Sequence, residues 1–126
     1  ARFTKWRGVY SISKDYPSPL AIKANAHALG RYAALVQEAG MVPIIEPELL
    51  MDGNHSSRNC FDKTSEVIKQ CYEELELNKV DLTGIILKPN MILPGNKSSK
   101  KINNEEIDHH EETSKEKRSI ISSIVT

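Results

Sequence analysis

The sequence lacks an excess of charge of either sign: 17 Lys and Arg stand against 17 Asp and Glu over 126 residues. With no surplus of cations to displace counterions from phosphates, the electrostatic case for a nucleic-acid partner falls away. Cysteine is scarce. Cys60 and Cys71 are the whole complement, too few for a disulfide framework or a four-thiolate zinc site. No apolar run approaches the roughly 20 residues of a membrane span, and no signal-peptide pattern opens the chain. A soluble, cytoplasmic protein without a membrane partner is therefore the default expectation. The length also falls short of the about 250 residues typical of a closed eight-stranded α/β barrel. Apolar residues make up only 39%, so the core must be concentrated somewhere. The sequence starts at Ala1 without Met and runs at once into Phe3, Trp6, Val9 and Tyr10, as a piece of a longer chain would.

What is present alternates in period. MVPIIEPELL at residues 41–50 and DLTGIILKP at 81–89 each hold a short apolar run closed by proline, which suits strands buried on both faces of a parallel sheet. Residues 2–11 read as a weaker third strand, with Lys5 and Arg7 on one face and Trp6 on the other. Residues 17–39 read as a helix with a stripe of Ala21, Ala24, Ala28, Leu29, Tyr32, Leu35 and Val36. Pro19 near its start and Gly40 just past its end fit that reading. Residues 64–77 repeat the pattern with Val67, Ile68, Cys71, Tyr72 and Leu75. Strands alternating with helices imply βαβ units and an α/β fold. After Gly95 the composition changes: residues 96–118 contain twelve charged residues and almost no apolar face, so a helix there would be marginal. Ile120, Ile121, Ile124 and Val125 look like the start of another buried element.

Lys5, Glu46 and Lys88 each fall at or near the C-terminal end of a predicted strand, 41 and 42 residues apart. One strand–helix unit per interval would bring all three side chains to the sheet end where α/β folds build active sites. Glu48 follows Glu46 by two residues and Arg7 follows Lys5 by two, so each shares its neighbour's face if the strand continues through Pro47. A lysine closing an apolar strand is a nucleophile only when some of its amine is neutral, and at an ordinary pKa near 10.4 about 0.04% is neutral at pH 7. Desolvation by Ile85, Ile86 and Leu87 and repulsion from Lys5 would lower that pKa. The neutral amine could then attack a ketone, and the iminium so formed draws electrons from an adjacent carbon–carbon bond. Glu46 would move the protons, and Lys5 and Arg7 would suit an anionic, phosphorylated substrate.

Blander readings stand beside these. A single strand-end lysine is commonly a solvated terminus, Glu46 and Glu48 can be loop carboxylates, and Lys5 and Arg7 can form surface ion pairs worth little. His109 and His110 before Glu111 and Glu112 read as a solvated charged stretch rather than a metal site, because adjacent residues point to different sides of a helix. His27 and His55 read as structural or exposed. Cys71 has helical core spacing, and Cys60 is too isolated for a nucleophile.

The segments FTKWRGVY, AIKANAHALGRYAALVQEAGMVPIIEPELLMDGNH and GIILKPNMILPG together resemble class I fructose-bisphosphate aldolase, continuously from about Phe3 to Gly95. The resemblance implies a (β/α)8 TIM barrel in which residues 1–95 supply the fourth, fifth and sixth strands with their helices. Residues 96–126 are expected to be a divergent charged segment, either the sixth barrel helix or a disordered tail. It implies reversible cleavage of fructose 1,6-bisphosphate into dihydroxyacetone phosphate and glyceraldehyde 3-phosphate, in glycolysis and gluconeogenesis, by a homotetramer that uses no metal or other cofactor. Carried over residue by residue, Lys88 matches the Schiff-base lysine, Glu46 the general acid/base and Glu48 its neighbouring carboxylate. Lys5 matches a lysine that contacts substrate and assists the chemistry, and Arg7 an arginine at the substrate-phosphate end. The family's catalytic aspartate, its phosphate-binding serine-glycine loop and its C-terminal tyrosine lie outside the matched segment, so the chain alone is expected to be inactive. A non-catalytic aldolase-derived interaction module, binding through the charged segment, is the alternative.

Overall fold

A computed structural model describes residues 1–99. β1 (Phe3–Tyr10), β2 (Val42–Leu49) and β3 (Ile86–Leu87) form a parallel sheet in that order. α1 (Pro19–Glu38) connects the first two strands, and α2 (Ser57–Leu77) with a short 3-10 turn at Leu82–Gly84 connects the second two. The alternation expected from the sequence is thus present. The residues 100–126, and with them the charged helix and the closing apolar element, lie outside the described residues.

Both helices start on a serine cap. The Ser18 hydroxyl accepts from the Ala21 N–H and that of Ser56 from the Asn59 N–H, each at 3.1 Å, satisfying one of the donors a helix start leaves open. α2 starts seven residues before the predicted Thr64, because its first two turns are polar except for Cys60 and Phe61 and hide the apolar period. Cys60, Phe61 and Thr64 are nonetheless buried, in line with Val67, Ile68, Cys71, Tyr72 and Leu75.

The stripe predicted for α1 needs correction. Its buried residues are Ile22, Ala26, Leu29, Gly30, Ala33 and Val36; Leu29 and Val36 belong to the predicted stripe, whereas Leu35 is 62% exposed. An alanine-rich helix offers several apolar faces, and here the smallest side chains choose among them. A Cβ on Gly30 would lie 2.9 Å from Asn78 Nδ2 and 3.0 Å from the Glu74 carbonyl oxygen. The glycine therefore lets α1 and α2 approach closely. The core continues from this helix pair to the sheet face carrying Tyr10, Ile45 and Leu49.

β3 is far shorter than the strand expected at 81–89, and the prolines of β2 explain it. The Val42 N–H donates to the Arg2 carbonyl and the Leu50 N–H to the Tyr10 carbonyl, so even-numbered β2 donors face β1. The odd-numbered ones, Pro43, Ile45, Pro47 and Leu49, face β3. Two of the four lack an N–H, and a ladder cannot run through them. Pairing survives around Ile45, opposite Leu87, and ends where the Lys88 N–H donates to the Ile45 carbonyl at 2.9 Å.

The 51–55 loop after β2 is bonded to the segment after β3. Gly95, Asn96 and Lys97 donate their N–H groups to the carbonyls of His55, Met51 and Gly53, each at 2.8 Å. The point where the composition changes is thus tied into the end of the sheet.

Candidate active site

Register decides which side chains share a face. Phe3, Lys5, Arg7 and Val9 pair with Val42, Ile44, Glu46 and Glu48, and Ile44 pairs with Ile86. Lys5, Arg7, Glu46 and Glu48 therefore lie on one face, and continuing the register by two residues brings Lys88 opposite Glu46. Trp6 is on the other face, edge-on to Tyr32 of α1 with ring centroids 5.3 Å apart. β2 does continue through Pro47, as the sharing of a face by the two glutamates requires.

Glu46 is the centre of the cluster. Its side chain is only 8% exposed, and its two carboxylate oxygens meet two ammonium groups: Oε2 lies 2.7 Å from Lys5 Nζ, and Oε1 accepts from Lys88 Nζ at 3.1 Å. The contact with Lys5 holds the Glu46 carboxyl below its ordinary value of 4.5; burial opposes this, and Lys88 adds to it. Beside this triad the Arg7 Nε donates to Glu48 Oε2. All five residues singled out from the sequence are thus brought into one cluster.

Two premises of the sequence reading change. Lys5 does not sit at the C-terminal end of its strand; it is the third of eight residues in β1, and its long side chain carries the ammonium forward to Glu46. The Lys88 side chain is 61% exposed and Ile86 is exposed as well, so the desolvation expected from Ile85, Ile86 and Leu87 is not supplied by the described residues.

Asn90, two residues beyond Lys88, was not singled out. Its Oδ1 accepts from the Leu49 N–H at 3.2 Å, and its Nδ2 donates to Thr64 Oγ1 at 3.2 Å and to the Met91 carbonyl at 2.9 Å. An amide directly following Lys-Pro was the available signal. Among the other candidates, His27 is exposed and pairs with Glu74 at 3.0 Å. His55 is buried, which pushes its pKa down. Cys60 and Cys71 are buried free thiols. His109 and His110 lie outside the described residues. Among the described residues no group of three or more His, Cys, Asp or Glu could hold a metal ion, and no helix is long and apolar enough to cross a membrane.

The chain is similar to proteins of known kind. The chain is 48% identical over 110 residues, 87% of its length, to the cytosolic fructose-bisphosphate aldolase 4 of Arabidopsis thaliana, and 47% identical over 107 residues to fructose-bisphosphate aldolase C of Carassius auratus. It spans 28% and 30% of those two relatives. A solved fructose-bisphosphate aldolase of Plasmodium falciparum, in complex with TRAP and a small-molecule inhibitor, superposes with a TM-score of 0.89 at 35% identity. That match covers 99% of this chain and 36% of the other. The family model for glycolytic class-I fructose-bisphosphate aldolase matches residues 1–124, past the Gly95 at which the recognisable motifs stop. On a family match that spans residues 1–124 and relatives nearly half identical to it, the chain belongs to the class-I fructose-bisphosphate aldolase family.

Proposed function

We propose that this chain carries the Schiff-base centre of a fructose-bisphosphate aldolase, with Lys88 as the nucleophile. The observation that carries the reading is the seat of Lys88 Nζ and Lys5 Nζ on opposite oxygens of the buried Glu46 carboxylate. In this scheme the neutral Lys88 amine adds to the ketone carbon of fructose 1,6-bisphosphate, and loss of water from the carbinolamine leaves an iminium. Breaking the neighbouring carbon–carbon bond passes its electron pair into that iminium, giving an enamine and releasing glyceraldehyde 3-phosphate. Protonation of the enamine and hydrolysis return dihydroxyacetone phosphate and the free lysine. Glu46 moves the protons, and its two lysine partners would tune it. When Lys88 loses its charge, one of the two cations holding Glu46 ionised disappears, and the carboxylate becomes a better proton acceptor.

Lys5 and Arg7 would hold the anionic ends of substrate, and Glu48 would orient Arg7. The three strands are proposed as the fourth to sixth of a (β/α)8 barrel whose other strands close the site, and the full assembly as a cytoplasmic homotetramer. The route needs no metal, because the iminium is the electron sink. The test is to incubate the complete gene product with dihydroxyacetone phosphate and borohydride and locate the reduced adduct by mass spectrometry. Adduct on Lys88 is expected; adduct on another lysine overturns the assignment.

A further inference from the structure

Lys88 makes the last ladder bond of β3, its N–H donating to the Ile45 carbonyl, and the next donor position on β2 belongs to Pro47, which has none. The ladder therefore loses its next bond, the one that an N–H at position 47 would make to the carbonyl of residue 88. The link resumes one step later, at Leu49, but through a side chain: the Leu49 N–H donates to Asn90 Oδ1 at 3.2 Å, where an uninterrupted parallel ladder would use a main-chain carbonyl. The same amide reaches the other way and donates to Thr64 Oγ1 at 3.2 Å. Thr64 is 1% exposed and fixed on α2. Asn90 thus spans the end of β2 and the helix behind it, across the gap that Pro47 opens beside Lys88.

We propose that Asn90 is a positioning residue for Lys88, offsetting the ladder bond that Pro47 cannot make by tying the next step to Leu49, and so fixing Lys88 Nζ against Glu46. The inference rests on the reading of Lys88 as the Schiff-base lysine. Loosening residues 88–90 would leave substrate contacts through Lys5 and Arg7 in place but let the amine wander from its proton-transfer partner. A reacting group displaced by about 1 Å can lose on the order of 100-fold in rate.

The test compares Asn90→Ala, Asn90→Asp, Thr64→Val and Lys88→Ala in the complete gene product, reading kcat, KM and the rate of borohydride trapping. Asn90→Ala is expected to lower kcat and trapping by about 10- to 100-fold, with KM within about two-fold. Asn90→Asp keeps the oxygen that accepts from Leu49 and should recover kcat to within about five-fold of the parent. Thr64→Val removes the helix anchor, together with the hydroxyl's 3.9 Å contact to Cys60 Sγ, with little change of volume; it should lower kcat several-fold at unchanged KM and serves if Asn90→Ala does not fold. Parental kcat in both Asn90→Ala and Thr64→Val overturns the positioning role. So does an equal fall of Asn90→Ala and Asn90→Asp that tracks lost thermal stability. Trapping that survives Lys88→Ala overturns the underlying Schiff-base reading instead, and no trapping or cleavage in the parent overturns both.

Discussion

Arg7 is the register partner of Glu46, yet the β1 cation against the Glu46 carboxylate is Lys5, two residues earlier on the same face. Arg7 in turn reaches past Glu46 to Glu48. Both cations of β1 lean one dipeptide toward the C-terminal end of the sheet. That offset explains why Lys5 and Glu46 stand 41 residues apart although registered partners on β1 and β2 stand 39 apart, as Phe3 and Val42 do. Lys88 needs no such lean, since its 42-residue separation from Glu46 matches that of Ile44 and Ile86.

Removing Lys5 should change the acidity of Glu46 as well as the rate. Lys5 is the leading cause of the lowered Glu46 pKa, so Lys5→Met lets it rise toward the ordinary 4.5. The acid limb of the kcat profile then moves to higher pH, and kcat itself falls by about 100- to 1,000-fold through the lost cation. Lys5→Arg keeps a charge and should hold the limb nearer its original place. A limb that stays put in Lys5→Met while the rate falls would assign Lys5 to substrate contact alone.

The same pair gives a prediction for stability. A carboxyl whose folded pKa is depressed is protonated first in the unfolded chain as the pH drops. The stability supplied by ionised Glu46 is whole above the ordinary 4.5 and is lost as the pH falls through the lower folded value. Glu46→Gln should therefore be less stable than the parent near neutrality, with the difference shrinking as the pH is taken below about 4.5. Urea midpoints measured across that range test it, and a difference constant with pH would sink the idea.

Much of this was legible in the sequence because two periods are hard to mistake. The apolar runs around Ile44–Ile45 and Ile86–Leu87 marked both strands, although Ile86 is exposed, and near-equal spacing brought Lys5, Glu46 and Lys88 to one face. The sequence was least informative where identity does not disclose a neighbour. Nothing in AIKANAHALGRYAALV says which of several apolar faces turns inward, because that depends on Gly30 meeting α2. The brevity of β3 was readable in principle from Pro43 and Pro47, but only once their N–H positions were known to face β3 rather than β1. Asn90 was missed because its partners, Leu49 and Thr64, lie 41 and 26 residues away.

Gly30 offers a direct test of that helix packing. A side chain there meets the backbone carbonyl of Glu74, which cannot swing aside as a flexible side chain can. Gly30→Val should destabilise by about 1–3 kcal/mol, the usual cost of overpacking a close contact. An unchanged denaturation midpoint would mean that the two helices separate without cost.

The two thiols should be silent until the fold opens. Cys71 is fully buried, and burial pushes its thiol up to about 12, leaving almost no thiolate near neutrality. Cys60 is buried as well, with its sulfur 3.8 Å from the Met91 carbonyl and 3.9 Å from Asn90 Nδ2. Peptide mapping after brief iodoacetamide treatment at about pH 8 should find neither residue alkylated in the native protein and both alkylated in denaturant. The two sites also report on different regions. Cys71 packs in the middle of α2, whereas Cys60 lies against the 90–91 segment that follows Lys88. Asn90→Ala should therefore speed alkylation of Cys60 and leave Cys71 protected, since loosening that segment exposes only the first. Equal acceleration at both would mean that the substitution unfolds α2 as a whole rather than freeing the segment beside the lysine.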